Sequence, residues 1–376
     1  MKKLFFLFLI TVSKYVQSVE VEFNIVGVPR HYTPLKEDIY LAGSFNNWQP
    51  NLPKYKFIRL STNLFKLNID LPKGDYQYKF TRGSWSTSET GINDGFMPNR
   101  NLQISTFNKQ THLIKINGWN DFNGDHSVTG NVYIIDTKFP YPQFNTTKTI
   151  WVYLPPDYYT SLKSYPVLYM HDAQNLFDKA TSFAGEWSLD EILENNFFTG
   201  KQSSIIVGLE TKVERMDELT PHPHPSYGGG KGDKYIDFLI NYVKPFIDQN
   251  FRTVPNREFT GLAGSSLGGL MTFYGGFKNQ NIFSKLGIFS PSFWFNDTIF
   301  DLVESSDIIK FEDTKFYFVC GEMEGSSTMV SNMLKMINKL FQKGYQNVKY
   351  NIRSYGTHSE IFWSKEFLEA FTWLFN

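Results

Sequence analysis

The sequence has almost no cysteine, since Cys320 is the only one among its 376 residues. A single thiol cannot form a disulfide within the chain, so a disulfide-framed fold is excluded and a buried core must hold the structure. Net charge is also absent, because 37 Lys and Arg residues balance 37 Asp and Glu residues. This balance argues against nucleic acid or an anionic membrane as the main partner.

Long apolar runs are missing as well. The run Leu4–Val12 is too short to cross a bilayer, and no later stretch is apolar for longer, so a soluble mature protein is expected. This run follows Met1–Lys3 and precedes small residues in Val16–Ser18, which is the layout of a secretory signal. We expect residues 1–18 to be a signal peptide and the protein to be secreted or periplasmic. The alternative for this stretch is a buried strand.

Strand patterns fill residues 19–118. Apolar and polar residues alternate in Val21–Val26, Leu64–Ile69 and Tyr76–Phe80, and clusters of Asn, Gly, Pro and Asp separate these runs. Short strands at regular spacing predict an antiparallel β-sandwich. Residues 119–130 are rich in Gly, Asn and Asp, which indicates a linker.

A different pattern covers residues 131–376, where strands alternate with helices. Tyr165–Met170 and Ser204–Leu209 are continuous apolar runs, as expected of strands buried on both faces. Tyr235–Asn250 and Ser331–Lys343 have the spacing of amphipathic helices. This alternation predicts an α/β fold with a mostly parallel sheet and flanking helices.

The segment Phe259–Thr272 reads as a strand, a tight turn and the start of a helix. Gly264–Gly268 in that turn fits G-x-S-x-G, the spacing of a nucleophile elbow. Glycines avoid Cβ clashes in such a turn, and the helix N-terminus offers free N–H groups to an oxyanion. The sequence therefore predicts Ser266 as the nucleophile of a hydrolase, with the Leu267 N–H as an oxyanion donor. The alternative is an ordinary strand-to-helix turn.

Two later strand ends carry partners for such a nucleophile. Glu322 and Glu324 follow one strand, and His358 follows the next. Because chemistry collects at the carboxyl ends of parallel strands, these side chains are expected to meet Ser266. The chain order Ser, acid, His is that of an α/β-hydrolase triad, in which His moves the proton and the carboxylate orients the ring. Proximity to the strand end leaves both glutamates open as the acid.

Residues 130–376 resemble the esterase family of α/β-hydrolases that includes enterochelin esterases, feruloyl and acetylxylan esterases and S-formylglutathione hydrolases. The resemblance implies an α/β-hydrolase fold, no cofactor, and Glu324 as the triad acid. It also implies that an N–H of the Asp172–Ala173 turn completes the oxyanion hole with Leu267, although the family usually has Gly where Ala173 stands. The matching stretches are Tyr165–Phe177, Phe251–Thr253, Gly264–Gly269 and Gly356–Ser359.

The first domain resembles a starch- or glycogen-binding module. The resemblance implies a sugar site formed by Trp48, Lys79 and Asn99, where the indole stacks on the sugar and polar neighbours bind its hydroxyls. The family's second stacking Trp, expected shortly before Asn99, is absent, and Trp85 lies earlier in the chain. The alternative is a sandwich that binds no sugar. The matching stretches are Tyr40–Trp48, Leu71–Phe80 and Pro98–Arg100.

Together these patterns predict a secreted serine carboxylesterase that acts on acetyl or feruloyl esters of a carbohydrate. Its expected partner is a small-molecule or polysaccharide ester. No metal site is expected, since His222-Pro223-His224 offers too few ligands. The alternatives are a siderophore esterase of the enterochelin type, an acyltransferase with the same triad, and a non-catalytic glycan-binding protein whose hydrolase domain is vestigial.

Overall fold

The computed structural model describes residues 17–376, except 30–31, 92–94, 96, 107, 123–124, 307–310 and 326–327. Residues 1–16 of the expected signal peptide therefore lie outside the described part of the chain. The chain forms two compact units, one from the described residues of Met1–Pro29 and Glu37–Asn123, the other from those of Arg30–Lys36 and Gly124–Asn376. In the described part of the chain, every helix is too short or too polar to span a bilayer.

The first unit is built from short strands whose apolar residues alternate with polar ones. In β1, Val21, Phe23 and Ile25 are buried, and the residues between them are exposed or half-buried. Because successive side chains of a strand point to opposite faces, this alternation buries one face of β1 in the core. The strands are β1 (Ser18–Gly27), β2 (Tyr40–Gly43), β3 (Ile58–Arg59), β4 (Phe65–Pro72), β5 (Gly74–Thr81), β6 (Glu89–Thr90), β7 (Arg100–Ile104), β8 (Gln110–Lys115) and β9 (Gly118–Trp119).

These strands form three sheets, in the orders β3-β4-β1-β8, β2-β5-β7 and β6-β9. Neighbouring strands run antiparallel, as predicted, apart from the parallel pair of β1 and β8. No tight hairpin joins β8 to β1, because they are the last strand and the first strand of this sheet along the chain. Their mutual direction is therefore not set by a turn.

The first unit extends beyond residue 119, where the linker was expected to begin. Trp119 is fully buried and pairs with Glu89 between β6 and β9. The Arg82 guanidinium lies 5.3 Å from the Trp119 ring and forms ion pairs with Glu37 and Asp121. Linker-like composition therefore starts inside a packed part of the chain, because Asp121 pairs with a buried arginine.

The second unit contains an eight-stranded sheet in the order β10-β11-β13-β12-β14-β15-β16-β17. The six strands from β12 to β17 run parallel, and β10 and β11 run antiparallel to their neighbours. This confirms the predicted α/β fold with a mostly parallel sheet. The strands are β10 (Val132–Tyr141), β11 (Thr146–Tyr153), β12 (Val167–His171), β13 (Ile205–Leu209), β14 (Thr260–Ser265), β15 (Lys285–Phe289), β16 (Lys315–Gly321) and β17 (Val348–Arg353).

Helices connect the parallel strands. The predicted helix over 235–250 is interrupted by a π-helical turn at Leu239–Val243. Pro245 follows in the first turn of the next helix, where it cannot donate the backbone hydrogen bond of a regular helix. The helices are α1 (Leu189–Phe198), α2 (Arg215–Glu218), α3 (Gly232–Phe238), α4 (Lys244–Asn250), α5 (Leu267–Lys278), α6 (Asp301–Glu304), α7 (Met329–Gln342) and α8 (Glu360–Phe375).

A short segment from the N-terminal part of the chain belongs to the second unit. The Leu35 N–H donates to the Ile134 carbonyl of β10 at 2.9 Å. The Tyr32 hydroxyl donates to the Asp178 carboxylate, which is fully buried. Residues 32–36 therefore contribute hydrogen bonds to the hydrolase-like unit although they lie far before it in the sequence.

Candidate active site

Ser266 occupies the turn between β14 and α5 with φ 58° and ψ −120°, a conformation that non-glycine residues rarely adopt. Close packing explains the glycines around it. A Cβ on Gly264 would lie 2.7 Å from Cδ2 of His171, and a Cβ on Gly269 would lie 2.7 Å from the carbonyl oxygen of Phe289. The sharp turn lifts Ser266 above the sheet edge and starts α5 behind it.

The ends of β14 and β16, together with the loop after β17, bring Ser266, Glu324 and His358 into one hydrogen-bonded row. Ser266 Oγ lies 3.0 Å from His358 Nε2, and His358 Nδ1 lies 2.9 Å from Glu324 Oε2. Glu324 is buried and the imidazole is partly open to solvent. Glu322, the other candidate acid, is exposed in the turn after β16, where its N–H donates to the Arg353 carbonyl.

Hydrogen-bond donors also fix the Glu324 oxygen that does not contact His358. Glu324 Oε1 accepts hydrogen bonds from the Gly321 N–H at 2.5 Å and from the Ser290 hydroxyl at 2.6 Å. The Trp363 indole N–H in turn donates to Ser290 Oγ at 2.8 Å. Burial opposes the charge, but the hydrogen bonds from His358, Ser290 and Gly321 outweigh it and lower the pKa of Glu324. The carboxylate is therefore kept ionised and fixed in orientation.

The two expected oxyanion donors lie on neighbouring turns. Leu267 is the first residue of α5, so its N–H has no acceptor within the helix. Ala173 begins a short 3₁₀ helix after β12, which pairs directly with β14. The left-handed backbone position in this turn belongs to Asp172, with φ 57°, and not to Ala173. An alanine therefore fits where the family usually has glycine.

Asp172 itself is clamped by side chains that the sequence did not single out. Its carboxylate accepts hydrogen bonds from Arg215 Nε at 2.8 Å and Arg215 Nη2 at 2.9 Å, and from the Thr211 hydroxyl. Burial opposes ionisation, but the guanidinium and the hydroxyl outweigh it and lower the pKa of Asp172. A Cβ on Gly268 would lie 3.6 Å from this carboxylate, so the clamp adjoins the start of α5.

Two other chemically reactive side chains of the second unit are buried. His171 is buried beneath the elbow, with Nδ1 2.7 Å from the Tyr235 hydroxyl, and burial lowers its pKa to about 4, so the ring is neutral near pH 7. Cys320 lies in β16, and burial raises the pKa of its thiol. A protonated, buried thiol is a poor nucleophile.

Ser292 lies beside the nucleophile and precedes one member of an exposed aromatic pair in the chain. The Ser292 N–H donates to the Ser266 carbonyl at 3.0 Å, and the two hydroxyl oxygens are 3.3 Å apart. Two residues later, Trp294 is 42% exposed, and its ring lies 6.2 Å from that of Tyr227, which is 58% exposed. Sequence reasoning missed this aromatic pair, because its two members come from different loops.

The three expected sugar-binding residues lie in the first unit, and each contacts a different partner. The Trp48 ring is 6.1 Å from the ring of Trp85, which is 42% exposed, so a second tryptophan does accompany Trp48. Lys79 Nζ donates to the Met97 carbonyl at 2.5 Å, and the Asn99 amide donates to Gln77 Oε1 at 3.1 Å. The loop in which the second Trp was expected, residues 92–98, lies partly outside the described residues.

Comparison with known proteins places both parts of the chain. Residues 142–374 match the family model described as "Putative esterase", and residues 32–93 match the glycogen recognition site of AMP-activated protein kinase. The uncharacterized protein YbbA of Bacillus subtilis is 27% identical over 239 residues, which are 60% of this chain and 91% of YbbA. The human kinase subunit beta-2 is 35% identical over 80 residues, 21% of this chain and 26% of the subunit.

Solved structures share the fold. The match to a ferulic acid esterase covers 63% of this chain and 95% of the esterase chain, with 17% identity and a TM-score of 0.50. The siderophore hydrolase EstB of Aspergillus nidulans covers 65% and 96% at 17% identity (TM-score 0.53). The enterobactin esterase FES of Shigella flexneri covers 93% and 91% at 11% identity (TM-score 0.52). The chain therefore belongs to this esterase family, as a carboxylic ester hydrolase with an N-terminal module of the glycogen-binding type.

Proposed function

We propose that the protein is a serine esterase that works through an acyl-enzyme, with Ser266 as nucleophile, His358 as general base and acid, and Glu324 as the orienting carboxylate. The observation that carries this proposal is the unbroken row from Ser266 Oγ to His358 Nε2 at 3.0 Å and from His358 Nδ1 to Glu324 Oε2 at 2.9 Å. Both distances are within hydrogen-bonding range.

In the first half-reaction, Ser266 Oγ attacks the ester carbonyl carbon while its proton moves to His358 Nε2. The carbonyl oxygen becomes an oxyanion, and the positive charge on the imidazole ring is stabilised by Glu324. When the tetrahedral intermediate collapses, the ester C–O bond breaks and His358 returns the proton to the departing alkoxide. An alcohol leaves and the acyl group stays on Ser266.

The second half-reaction repeats these steps with water. His358 takes a proton from water, the hydroxide attacks the acyl carbon, and the bond to Ser266 Oγ breaks as His358 returns the proton to it. The N–H groups of Leu267 and Ala173 are the proposed donors to the oxyanion in both halves. Removing one oxyanion donor typically raises the barrier by about 3 kcal/mol.

We propose an acyl ester of a carbohydrate, acetyl or feruloyl, as the substrate. The N-terminal match to a glycogen recognition site supports the carbohydrate part, as does the pairing of Trp48 with Trp85. The exposed rings of Trp294, two residues after Ser292, and of Tyr227 support a planar acyl group or a sugar ring in the substrate, because either can stack on an aromatic face.

Siderophore ester hydrolysis is the second candidate. One observation favours it: the enterobactin esterase from Shigella flexneri is similar in fold over 93% of the chain, and so includes the N-terminal unit. A panel of acetylated xylan, a feruloylated sugar and a catecholate trilactone separates the candidates. A kcat/KM higher on either glycan ester supports our proposal, whereas a preference for the trilactone contradicts it.

Glycan binding by the first unit needs its own test, in which full-length protein is retained on insoluble starch. We expect Trp48→Ala and Trp85→Ala to lower retention at least tenfold, because each removes a stacking ring. Leu113→Ala is the matched control, since Leu113 is an exposed apolar residue on β8 of the same unit. Equal retention of all variants contradicts a sugar site at the two tryptophans.

We further propose that residues 1–18 direct export of the protein. The charged start Met1–Lys3 and the apolar run Leu4–Val12 support this reading. N-terminal sequencing of protein recovered from its native host tests it. A mature chain that begins at Val19 is expected, and a chain that retains Met1 contradicts export by cleavage.

A further inference from the structure

Three carboxylates converge at the start of α1. Glu186, Asp190 and Glu191 each place a carboxylate oxygen within 4.8 Å of the other two. Asp190 is fully buried, and the two glutamates are half-buried. Acidic residues in the first turn of a helix are common, so their presence at α1 carries no argument by itself.

The hydrogen bonding of these side chains is incomplete. Asp190 Oδ2 accepts a hydrogen bond from the Thr129 N–H at 2.6 Å. Asp190 Oδ1 and Glu191 Oε2 are both buried, and neither has a hydrogen-bond donor among the described residues. A buried carboxylate oxygen without a donor is costly. Both oxygens belong to residues of this cluster, so a cation bound there would give these side chains a partner.

The charges around the cluster point the same way. Neighbouring carboxylates repel each other here: Glu191 repels Asp190, and both Glu191 and Asp178 repel Glu186. The Lys179 ammonium interacts electrostatically with Glu186, but Lys179 is exposed and forms an ion pair with Asp125 at 2.6 Å. Among the described residues, therefore, no Lys, Arg or His side chain forms an ion pair with any of the three carboxylates of the cluster.

We propose that Glu186, Asp190 and Glu191 bind a hard divalent cation, with Ca²⁺ preferred. The ligands are all carboxylate oxygens, which suit Ca²⁺, and oxygens at its usual distances can lie up to about 5 Å apart across the ion. Two of the ligands sit on a helix and one on the preceding loop, an irregular arrangement that Ca²⁺ accepts more readily than Mg²⁺ does.

The role of the ion is structural. Ser127 Oγ donates to Glu186 Oε1 at 2.8 Å, so the ion, together with the Thr129 bond to Asp190, fastens the segment 127–129 to the start of α1. Trp187 lies between these ligands in the chain, and its ring is 5.8 Å from that of Trp363, whose indole N–H supports Ser290. The ion would thereby steady Trp187, which is connected through Trp363 to Ser290, the residue that donates to Glu324.

Terbium luminescence tests the site directly, because Tb³⁺ replaces Ca²⁺ and Trp187, next to Glu186, can sensitise its emission. Full-length protein is treated with EDTA, dialysed and titrated with Tb³⁺. We expect sensitised emission that Ca²⁺ displaces at lower concentration than Mg²⁺, and at least a tenfold loss of emission in Asp190→Asn. Glu194→Gln is the matched control: Glu194 lies on α1 and binds Thr129 Oγ1 at 2.5 Å, outside the cluster. It should keep the emission.

Thermal unfolding gives a second readout. Ca²⁺ is expected to raise the Tm of the EDTA-treated protein by several degrees and to leave the Tm of Glu186→Gln unchanged. Glu186→Gln also serves if Asp190→Asn does not fold, since Glu186 lies on a loop. Absence of Tb³⁺ emission from the wild type, with a Tm indifferent to Ca²⁺, overturns the proposal. The carboxyls would then share a proton. Equal displacement by Mg²⁺ overturns the preference for Ca²⁺.

Discussion

At the scale of single residues, position relative to a strand end separates each functional candidate from a nearby residue of the same type. Ser265 is the last residue of β14 and is buried, whereas Ser266 takes the left-handed position in the turn and reaches His358. Glu324 reaches the same imidazole from the turn after β16, whereas Glu322 is exposed. Each pair is one or two residues apart, so geometry and not chemistry makes the choice.

The choice between the glutamates gives the first prediction. Glu324→Gln should lower kcat about 10³–10⁴-fold with little change in KM, because an amide neither stabilises the imidazolium nor fixes the productive tautomer. Glu322→Gln, the matched control, should retain wild-type kinetics. Steady-state hydrolysis of p-nitrophenyl acetate measures both. If Glu322→Gln shows the larger loss, our assignment of the acid is wrong.

Ser290 gives the second prediction, which concerns pH. The pKa of Glu324 is below its ordinary value in the folded protein, so its ionisation stabilises the fold above pH 4.5 and this contribution is lost as pH falls through the folded pKa. Ser290→Ala removes one donor, so the folded pKa should rise and the stabilisation should shrink. We expect a loss of about 1–2 kcal/mol near pH 7 and a smaller difference near pH 3.

Urea unfolding of wild type and Ser290→Ala across this pH range measures the effect. kcat should also fall while KM stays near its original value, because Ser290 acts through Glu324 and not on substrate. Ser290→Thr keeps the hydroxyl and should restore part of kcat. A stability difference that is the same at pH 3 and pH 7 contradicts the proposed link to Glu324.

Strand order predicted Ser266, His358 and an acid from the turn after β16, and the family resemblance then selected Glu324 over Glu322. Their catalytic roles stay predictions until activity is measured. Ser290, Trp363 and Ser292 could not be predicted in the same way. Their contacts arise when separate strands and α8 pack together, and no local spacing records such packing.

At the scale of elements, the elbow depends on how tightly β14, α5 and their neighbours approach. Gly264→Ala should destabilise the fold by about 1–3 kcal/mol, because its Cβ would meet His171 at 2.7 Å and the Gly268 backbone at 3.0 Å. Gly130→Ala is the control, since a Cβ there meets nothing within 4 Å. Chemical denaturation measures both free energies of unfolding. Equal stability of the two variants contradicts the packing argument.

The spacing of apolar residues along the chain and the order of the strands predicted the elements better than composition did. The apolar runs of β12 and β13 identified parallel strands, because such strands are buried on both faces. The break near Pro245 was not predicted, since the apolar spacing continues through it. The buried Trp119 lay in a stretch that composition marked as a linker, because composition does not report which Asp or Asn finds a buried partner.

At the scale of the whole molecule, the hydrolase-like unit is not one continuous segment. Residues 32–36 join it through backbone bonds to β10 and through Tyr32. Such an exchange between distant segments cannot be read from local composition. It also means that a fragment which starts at residue 124 lacks contacts that the unit uses.

Tyr32 gives the prediction at this scale. Tyr32→Phe in the full-length chain should lower the free energy of unfolding by about 1–2 kcal/mol, because the buried Asp178 carboxylate loses a donor. His126, 2.8 Å from the same carboxylate, limits the loss. Tyr159→Phe is the matched control, since Tyr159 is largely exposed. Equal stability of both variants contradicts a structural role for residues 32–36.

The central claim is that Ser266 is the nucleophile of a serine esterase, and active-site labelling tests it most directly. Wild type, Ser266→Ala and Ser265→Ala are treated with a fluorophosphonate and examined by intact and peptide mass spectrometry. We predict one adduct per chain on Ser266 in wild type and in Ser265→Ala, and none in Ser266→Ala. No adduct on wild type, or equal labelling of Ser266→Ala, would contradict the account.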